Sequence, residues 1–320
     1  MMLAVESMKH HTTDEGWQLA AGLESTGYTL AGYKLSIDEC DIRKLLKRTY
    51  PGTLVVQDKR EWDNASSNFR ESKAQFYHIY DLKKYSDIFK VTVLKDSHQR
   101  LDYHRGSAQE MGVHAWIVYY DPDIVKKLAP YVRREHLIRT YHSLDADLVP
   151  QYTSKDRDGC LLSGAMSKAY PLRRKLHNSH KKYLGGNNCI PGLIYLPHPG
   201  YHRDGCCTPG YLKTLSQFKV VISTASRFQY ALRRTFEATA CGAIVITDLK
   251  EDVPVINDNL VRVLPNASYA QLKEIVLRLY QEYDPDKQER LATLAKQHYD
   301  YRVVGTRLAR DIEQLRRNYK

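Results

Sequence analysis

Residues 223–248, STASRFQYALRRTFEATACGAIVITD, decide the fold of the second half of the chain. The apolar run at 219–223 predicts a buried strand that ends in a Ser/Thr-rich turn, and 229–240 predicts a helix closed by Gly242. The apolar run at 243–247 predicts the next strand. A strand, a helix and a second strand in this order indicate a parallel βαβ unit.

The same alternation of strands and helices extends in both directions and is interrupted once. The polar stretch 148–159 (LVPQYTSKDRDG) predicts a boundary, which divides the chain into domains 1–150 and 151–320. Both halves are therefore predicted to be open α/β domains with parallel sheets. The second domain is expected to end in three amphipathic helices, at residues 270–283, 287–298 and 303–317.

The charge of the chain is distributed unevenly between these halves. Residues 1–150 contain 21 Lys and Arg against 21 Asp and Glu, whereas residues 151–320 contain 27 against 16. The second half therefore carries the whole net charge of 27 − 16 = +11. A basic balance favours acidic partners, which include nucleic acids, anionic lipids and phosphorylated small molecules.

Much of this charge lies in one strand–turn–helix segment, SGAMSKAYPLRRKLHNSHKK at 163–182, which has six basic residues and no acid. Free backbone N–H groups, a helix N-terminus and basic side chains together favour an anion site. The site residues predicted here are Ser163, Gly164, Lys168 and Arg173. The later lysines have a second interpretation, since they also fit a solvated basic face of a helix.

Glu237 is the main candidate for a ligand-binding residue on the predicted helix that follows the Ser/Thr-rich turn. A carboxylate at this place can accept hydrogen bonds from both hydroxyls of a ribose. The alternative is a surface residue of the helix with no ligand. The small residues that follow, including Gly242, are expected to let a ligand approach the backbone.

The phrase FEATACGAIVITD at 236–248 resembles the donor-binding E-x-x-A-x-G signature of group 1 glycosyltransferases with the GT-B fold. SGAMSKAYPLRR at 163–174 and YDYRVVGTRLARDI at 299–312 are similar to further segments of relatives of spore-maturation glycosyltransferases. This resemblance covers residues 159–318 and implies two Rossmann-like α/β domains that face a cleft. It implies sugar transfer from a UDP- or GDP-sugar to a hydroxyl acceptor such as a glycan, with retention favoured.

The resemblance also implies roles for individual residues of the second domain. Glu237 would bind the ribose, Lys168 and Arg173 the diphosphate, and Gly242 would allow the close approach. The other donor-binding residues are Ser163, Gly164, His198, Ser226 and Gln229. Gln229 departs from the family, which often has a sugar-contacting Glu at that position.

The first domain is expected to supply a base or an orienting group, because polar residues follow its predicted strands. The catalytic candidates are His10, His11, Asp14, Asp96 and His98, with Asp58 as a rival. No metal and no cofactor besides the donor are expected. The D-x-D pairs at 121/123, 145/147, 156/158 and 284/286 fit chance in an Asp-rich chain, and two of them contain Pro and predict turns or helix starts.

Several classes of protein are excluded by the sequence, and two alternatives stay open. No apolar run is long enough for a membrane-spanning helix, no secretory signal is recognisable, and six cysteines are too few for a disulfide scaffold. A cytoplasmic protein is expected. The alternatives are a glycosyltransferase that modifies hydroxymethylated bases in DNA and a non-catalytic nucleic-acid-binding protein, since a basic surface suits both.

Overall fold

The computed structural model describes residues 2–4, 15–28, 30–31, 52–57, 81–94, 105, 108–109, 111–155, 157–197 and 209–319. The chain divides into two compact units. Unit 1 contains residues 1–141 and 301–320, and unit 2 contains residues 142–300. The predicted α/β class with two parallel sheets is confirmed.

Eleven strands and eight α-helices are present in the described residues. The strands are β1 (Met2–Ala4), β2 (Leu30–Ala31), β3 (Thr53–Gln57), β4 (Phe89–Leu94), β5 (Ala115–Val118), β6 (Leu137–Arg139), β7 (Cys160–Ser163), β8 (Leu193–Leu196), β9 (Val220–Ile222), β10 (Ile244–Thr247) and β11 (Leu260–Arg262). The helices are α1 (Glu15–Glu24), α2 (Pro122–Leu128), α3 (Pro171–Tyr183), α4 (Pro209–Leu215), α5 (Arg233–Ala240), α6 (Tyr269–Gln281), α7 (Pro285–Tyr299) and α8 (Tyr301–Asn318).

Each unit is built on one parallel sheet. When the strands are counted within each unit, both sheets have the order 2-1-3-4-5, and the sheet of unit 1 has a sixth strand after the fifth. The sheet of unit 1 has the order β2-β1-β3-β4-β5-β6, and that of unit 2 has the order β11-β10-β9-β7-β8. In unit 2 the chain therefore reverses its direction of travel across the sheet between β7 and β9. Such a switch point opens a crevice beyond the carboxyl ends of the two strands, where ligands bind in open α/β sheets.

The core of unit 2 fixes the positions of α3 and α6 against this sheet. Leu172 and Leu176 of α3 and Leu272 and Val276 of α6 are buried in one cluster with the strand residues Leu162 and other apolar side chains. These helix residues recur at intervals of four, which places them on one face of each helix. The N-terminus of α3 is thereby held beside the end of β7.

The last helix corrects the predicted division of the chain. The sequence assigned all three C-terminal helices to the second domain, but α8 packs against α1 and lies in unit 1. Glycines allow this contact: a methyl group on Gly22 would overlap the Tyr301 carbonyl, and one on Gly305 would overlap the backbone of Gly22. Two helix backbones approach this closely only where both lack a Cβ atom.

The helix of the segment 223–248 also differs from its prediction. It begins at Arg233 instead of residue 229, because Gln229 has a φ of 52° and so lies in the left-handed region. The turn after β9 is correspondingly longer. Within the described ranges, no helix combines the length and the apolar character that crossing a bilayer requires.

We predict that Gly305→Ala destabilises unit 1. The added methyl group would force α1 and α8 apart, and overpacking of this kind costs about 1–3 kcal/mol of the free energy of unfolding. Denaturant unfolding followed by circular dichroism measures the change. Gly210→Ala is the control, because no atom lies within 4 Å of the Cβ that it would add; equal stability of the two variants would contradict the packing role.

Candidate functional site

The candidate site lies beyond the carboxyl ends of β7 and β9, at the switch point of unit 2. Two turns meet there, the one from Ser163 to Tyr170 and the one from Ser223 to Leu232. The backbone N–H of Arg227 donates to the carbonyl of Ala169 over 2.8 Å and so joins them. The α3 helix begins directly after the first turn, and no side chain caps its N-terminus.

Gly164 is the point on which the site converges. Its φ of 109° lies in the region that favours glycine. A Cβ atom at this position would lie 2.6 Å from Nη1 of Arg173 and 2.7 Å from Nη2 of Arg234. The guanidinium groups of Arg173 on α3 and Arg234 on α5 therefore both occupy the space beside Gly164 that a side chain would fill.

Arg173 is held almost fully buried, with 2% of its surface exposed. Its Nε donates to Oγ1 of Thr224 and its Nη2 to the Thr224 carbonyl, both over 3.2 Å, and its guanidinium lies 4.1 Å from the ring of Tyr170. Burial, followed by the nearby charge of Arg234, lowers the pKa of Arg173 to about 9. The protein therefore keeps a positive charge where solvation is poor, and a bound anion would stabilise it.

Arg234 is less buried and is held by a short network. Its Nη1 donates to the Ser163 carbonyl over 2.6 Å, and its Nε donates to Oη of Tyr211 over 2.5 Å. The Tyr211 hydroxyl is also 2.7 Å from Oγ of Ser163. These contacts fix the guanidinium across the end of β7, where it faces Gly164.

Neither Arg173 nor Arg234 forms a salt bridge with a carboxylate of the described residues. The neighbouring Arg233 behaves differently, because its Nε lies 2.8 Å from Oε1 of Glu237 and both side chains are buried. An arginine that is paired with a carboxylate, as Arg233 is, needs no anionic ligand to balance its charge. Two adjacent guanidinium groups without a salt bridge repel each other. An anion bound between them would remove this repulsion.

Glu237 lies in the buried part of α5, so the interpretation as a surface helix residue is wrong. Its carboxylate is oriented by Arg233. The ribose contact stays a prediction.

Ser226 and Gln229 shape the second turn of the site. Oγ of Ser226 accepts from the N–H of Phe228 over 3.1 Å, and Oε1 of Gln229 accepts from the N–H of Lys250 over 3.2 Å. The buried carboxylate of Asp248 accepts from the N–H of Ala225 over 2.6 Å and ties this turn to the end of β10. Burial raises the pKa of Asp248.

Gly242 lies at the amino ends of the strands, opposite to the candidate site at their carboxyl ends. This position differs from its predicted place beside the donor. Gly242 precedes β10, whereas the turns of the site follow the ends of their strands. Its φ is 83°, and a Cβ there would lie 2.5 Å from the ring of Tyr152. The glycine therefore permits the packing of Tyr152. Lys168, by contrast, lies in the first turn of the site with an exposed side chain.

Several predicted residues fall outside the described residues. They are the donor candidate His198 and the catalytic candidates His10, His11, Asp14, Asp96 and His98, together with Asp58.

The D-x-D pairs that the structure describes cap helices. Asp121 and Asp284 accept from backbone N–H groups at the starts of α2 and α7, which confirms the predicted helix starts. Within the described ranges, no three His, Cys, Asp or Glu side chains form a group suited to a metal ion.

Three contributors to the site were not predicted from the sequence. Thr224 and Tyr211 orient the two arginines, and Arg234 supplies the second charge. The doublet Arg233-Arg234 was a visible signal, but the helix was placed four residues too early. Tyr211 follows a segment without strand or helix pattern and gave no signal.

Part of the sequence and the whole fold are similar to those of known proteins. Residues 173–313, which include both arginines and Glu237, match a family model described as glycosyl transferase-like. The chain as a whole has the GT-B fold. No curated protein sequence matches this chain significantly.

Solved structures share the fold at low sequence identity. Sucrose-phosphate synthase from Thermosynechococcus elongatus has a TM-score of 0.59 and 9% identity, covering 98% of this chain and 99% of that one. HepE from Anabaena, in complex with UDP and glucose, has a TM-score of 0.60 and 10% identity over the same shares of the two chains. HepE in complex with UDP-glucose gives 0.57 and 11%, again over 98% and 99%.

We predict that Gly164→Ala abolishes anion binding at the switch point. The new Cβ would displace both guanidinium groups, so pyrophosphate should no longer raise the melting temperature measured by differential scanning fluorimetry.

Gly185→Ala is the matched control for that experiment. Gly185 also has a positive φ, 79°, but no atom lies within 4 Å of its Cβ position. It therefore reproduces the backbone strain without the crowding. An equal response of the two variants to pyrophosphate would show that the arginines are not the anion site.

Proposed function

We propose that the enzyme binds the diphosphate of a nucleotide-sugar between Arg173 and Arg234 and transfers the sugar to a hydroxyl acceptor. The observation that carries this proposal is the convergence of two unpaired guanidinium groups on Gly164. Arginine is well suited to such a ligand because its planar fork binds phosphate oxygens in pairs. The uncapped N-terminus of α3 adds a favourable dipole.

These charges have a direct role in the proposed reaction. The bond between the anomeric carbon and the phosphate oxygen breaks, and a bond to the acceptor oxygen forms. The acceptor proton passes to a base, and the nucleoside diphosphate leaves with increased negative charge. Preorganised cations beside that phosphate stabilise the transition state more than the ground state.

The nucleoside is proposed to bind next to Glu237. HepE has been solved with UDP and with UDP-glucose, which makes a uridine nucleotide the first donor to test. Arg233 holds Oε1 of Glu237, and the second carboxylate oxygen is assigned to the ribose hydroxyls. Gln229 stands where a sugar-contacting Glu is usual in the family, so its amide is assigned to the sugar.

The remaining features of the reaction follow from the sequence and from the chemistry of the site. The base is assigned to the first domain, among the histidines and aspartates named above, and the acceptor to a glycan or glycoconjugate. No metal is invoked, because two guanidinium groups supply the positive charge, and the resemblance to group 1 enzymes favours retention. A cytoplasmic location suits the free thiols of Cys160, Cys189 and Cys241.

We predict that Arg234→Met lowers the turnover of the donor. Loss of one preorganised donor to a developing charge costs about 10²–10³ in kcat. Release of nucleoside diphosphate from UDP-glucose, UDP-galactose, GDP-mannose and TDP-glucose measures the rate. Arg290→Met, at an exposed position of α7, is the charge-matched control. Equal rates for the two variants, or no release from any donor, would refute the proposal.

We predict further that Glu237→Gln removes recognition of the ribose. The wild-type enzyme should bind UDP more tightly than 2′-deoxy-UDP, because a carboxylate accepts hydrogen bonds from the hydroxyls more strongly than an amide does. Isothermal titration with both nucleotides gives the ratio of affinities, which does not depend on any change in stability. A ratio that is unchanged in the variant would reject the assignment of Glu237.

A further inference from the structure

The α3 helix has a second charged surface that the donor site does not use. Arg173 points into the site, but Arg174, Lys175, Lys181 and Lys182 are exposed on the opposite side of the same helix. These residues form two stripes with a spacing of seven, which places them on one face. We call these four residues the α3 basic face.

No acid interrupts this surface within its own segment. Residues 160–197 contain six basic residues and neither Asp nor Glu. Lys175 is partly committed, since its Nζ donates to the carbonyls of Asn266 and Ala267 over 2.8 and 3.0 Å. Its charge still adds to the local positive potential. An anionic partner is therefore complementary to this face.

Two exposed leucines close to the α3 basic face in the chain or through Lys175 favour one kind of anionic partner. Leu184, directly after α3, is 69% exposed, and Leu264 is 70% exposed, the two highest values for large apolar residues in the described ranges. Leu264 lies two residues before Asn266, whose carbonyl binds Lys175. Leucines this exposed gain little from a nucleic-acid backbone, whereas the interface of a bilayer buries them.

We propose that the α3 basic face, with Leu184, binds the surface of an anionic membrane. Lysine and arginine are attracted to the negative headgroups, and Leu184 enters the boundary between headgroups and acyl chains. Binding is peripheral and reversible. The donor site opens at the N-terminal end of the same helix, so sugar transfer would take place close to the bilayer.

The expected affinity for the membrane depends on how many basic residues and apolar side chains contact it. Each basic residue near an anionic leaflet contributes about 1 kcal/mol, which is about a fivefold gain in affinity. Removing two of the charges should therefore weaken binding about 25-fold. Removing the Leu184 side chain should weaken it about tenfold, the lower range for burying a leucine.

Sedimentation of the full chain with lipid vesicles tests the proposal. The wild-type protein should sediment with vesicles of equimolar phosphatidylcholine and phosphatidylglycerol at low salt, and should not do so with phosphatidylcholine alone or at high salt. Lys181→Gln/Lys182→Gln and Leu184→Ser should show the losses given above. Release of nucleoside diphosphate by these variants without vesicles should stay at the wild-type rate.

Matched variants on α7 show whether vesicle binding depends on the α3 basic face itself or only on the net charge and exposed apolar area of the protein. Lys287→Gln/Arg290→Gln removes the same charge, and Leu294→Ser removes an apolar side chain that is 46% exposed. Both should bind vesicles like the wild type. Equal losses in the α3 and α7 variants would overturn the proposal. So would the absence of vesicle binding, with or without binding of duplex DNA that depends on Lys181 and Lys182.

Discussion

The candidate site of unit 2 depends on the repulsion between two neighbouring guanidinium groups, which the surrounding residues offset only in part. The guanidinium groups of Arg173 and Arg234 are held against Gly164, and within the described residues neither forms a salt bridge with a carboxylate. Burial and the charge of Arg234 lower the pKa of Arg173, and they outweigh the nearby charge of Asp248, which favours its protonated form. Folding maintains this arrangement through the hydrogen bonds from Arg173 to Thr224 and from Arg234 to Ser163 and Tyr211. A site of this kind favours an anion before any anion arrives, which is the preorganisation that stabilises a leaving phosphate.

The topology of the sheet explains why the charges meet at this place. The reversal between β7 and β9 leaves the ends of the two strands adjacent, with one turn after each. The first turn leads into α3, which carries Arg173, and the second leads into α5, which carries Arg234. The α3 helix has its remaining cations exposed, so one basic segment contributes Arg173 to the candidate site and carries Arg174, Lys175, Lys181 and Lys182 on its exposed surface.

The sequence predicted the fold class and most of the strands, because hydrophobic periodicity is a local property. The anion site that the local charge indicates stays a prediction. The sequence did not show that Arg173 would be buried in the site while Arg174 would be exposed to solvent. These neighbours differ by about 100° around the helix axis, and only the packing of Leu172 and Leu176 decides which one points inward. Arg234 was missed because the left-handed Gln229 delays the start of α5, and the sequence carries no mark of that turn. The return of α8 to unit 1 was missed because the contact of Gly22 with Gly305 joins distant segments.

The central proposal is that this chain binds a nucleotide-sugar through the diphosphate, at the two arginines of the switch point. Isothermal titration of the wild-type protein with UDP and with uridine tests it most directly. Charge-assisted hydrogen bonds contribute about 1.5–3 kcal/mol each, so UDP should bind at least about tenfold more tightly than uridine, with a difference that shrinks at high salt. Equal affinities for UDP and uridine would contradict the claim.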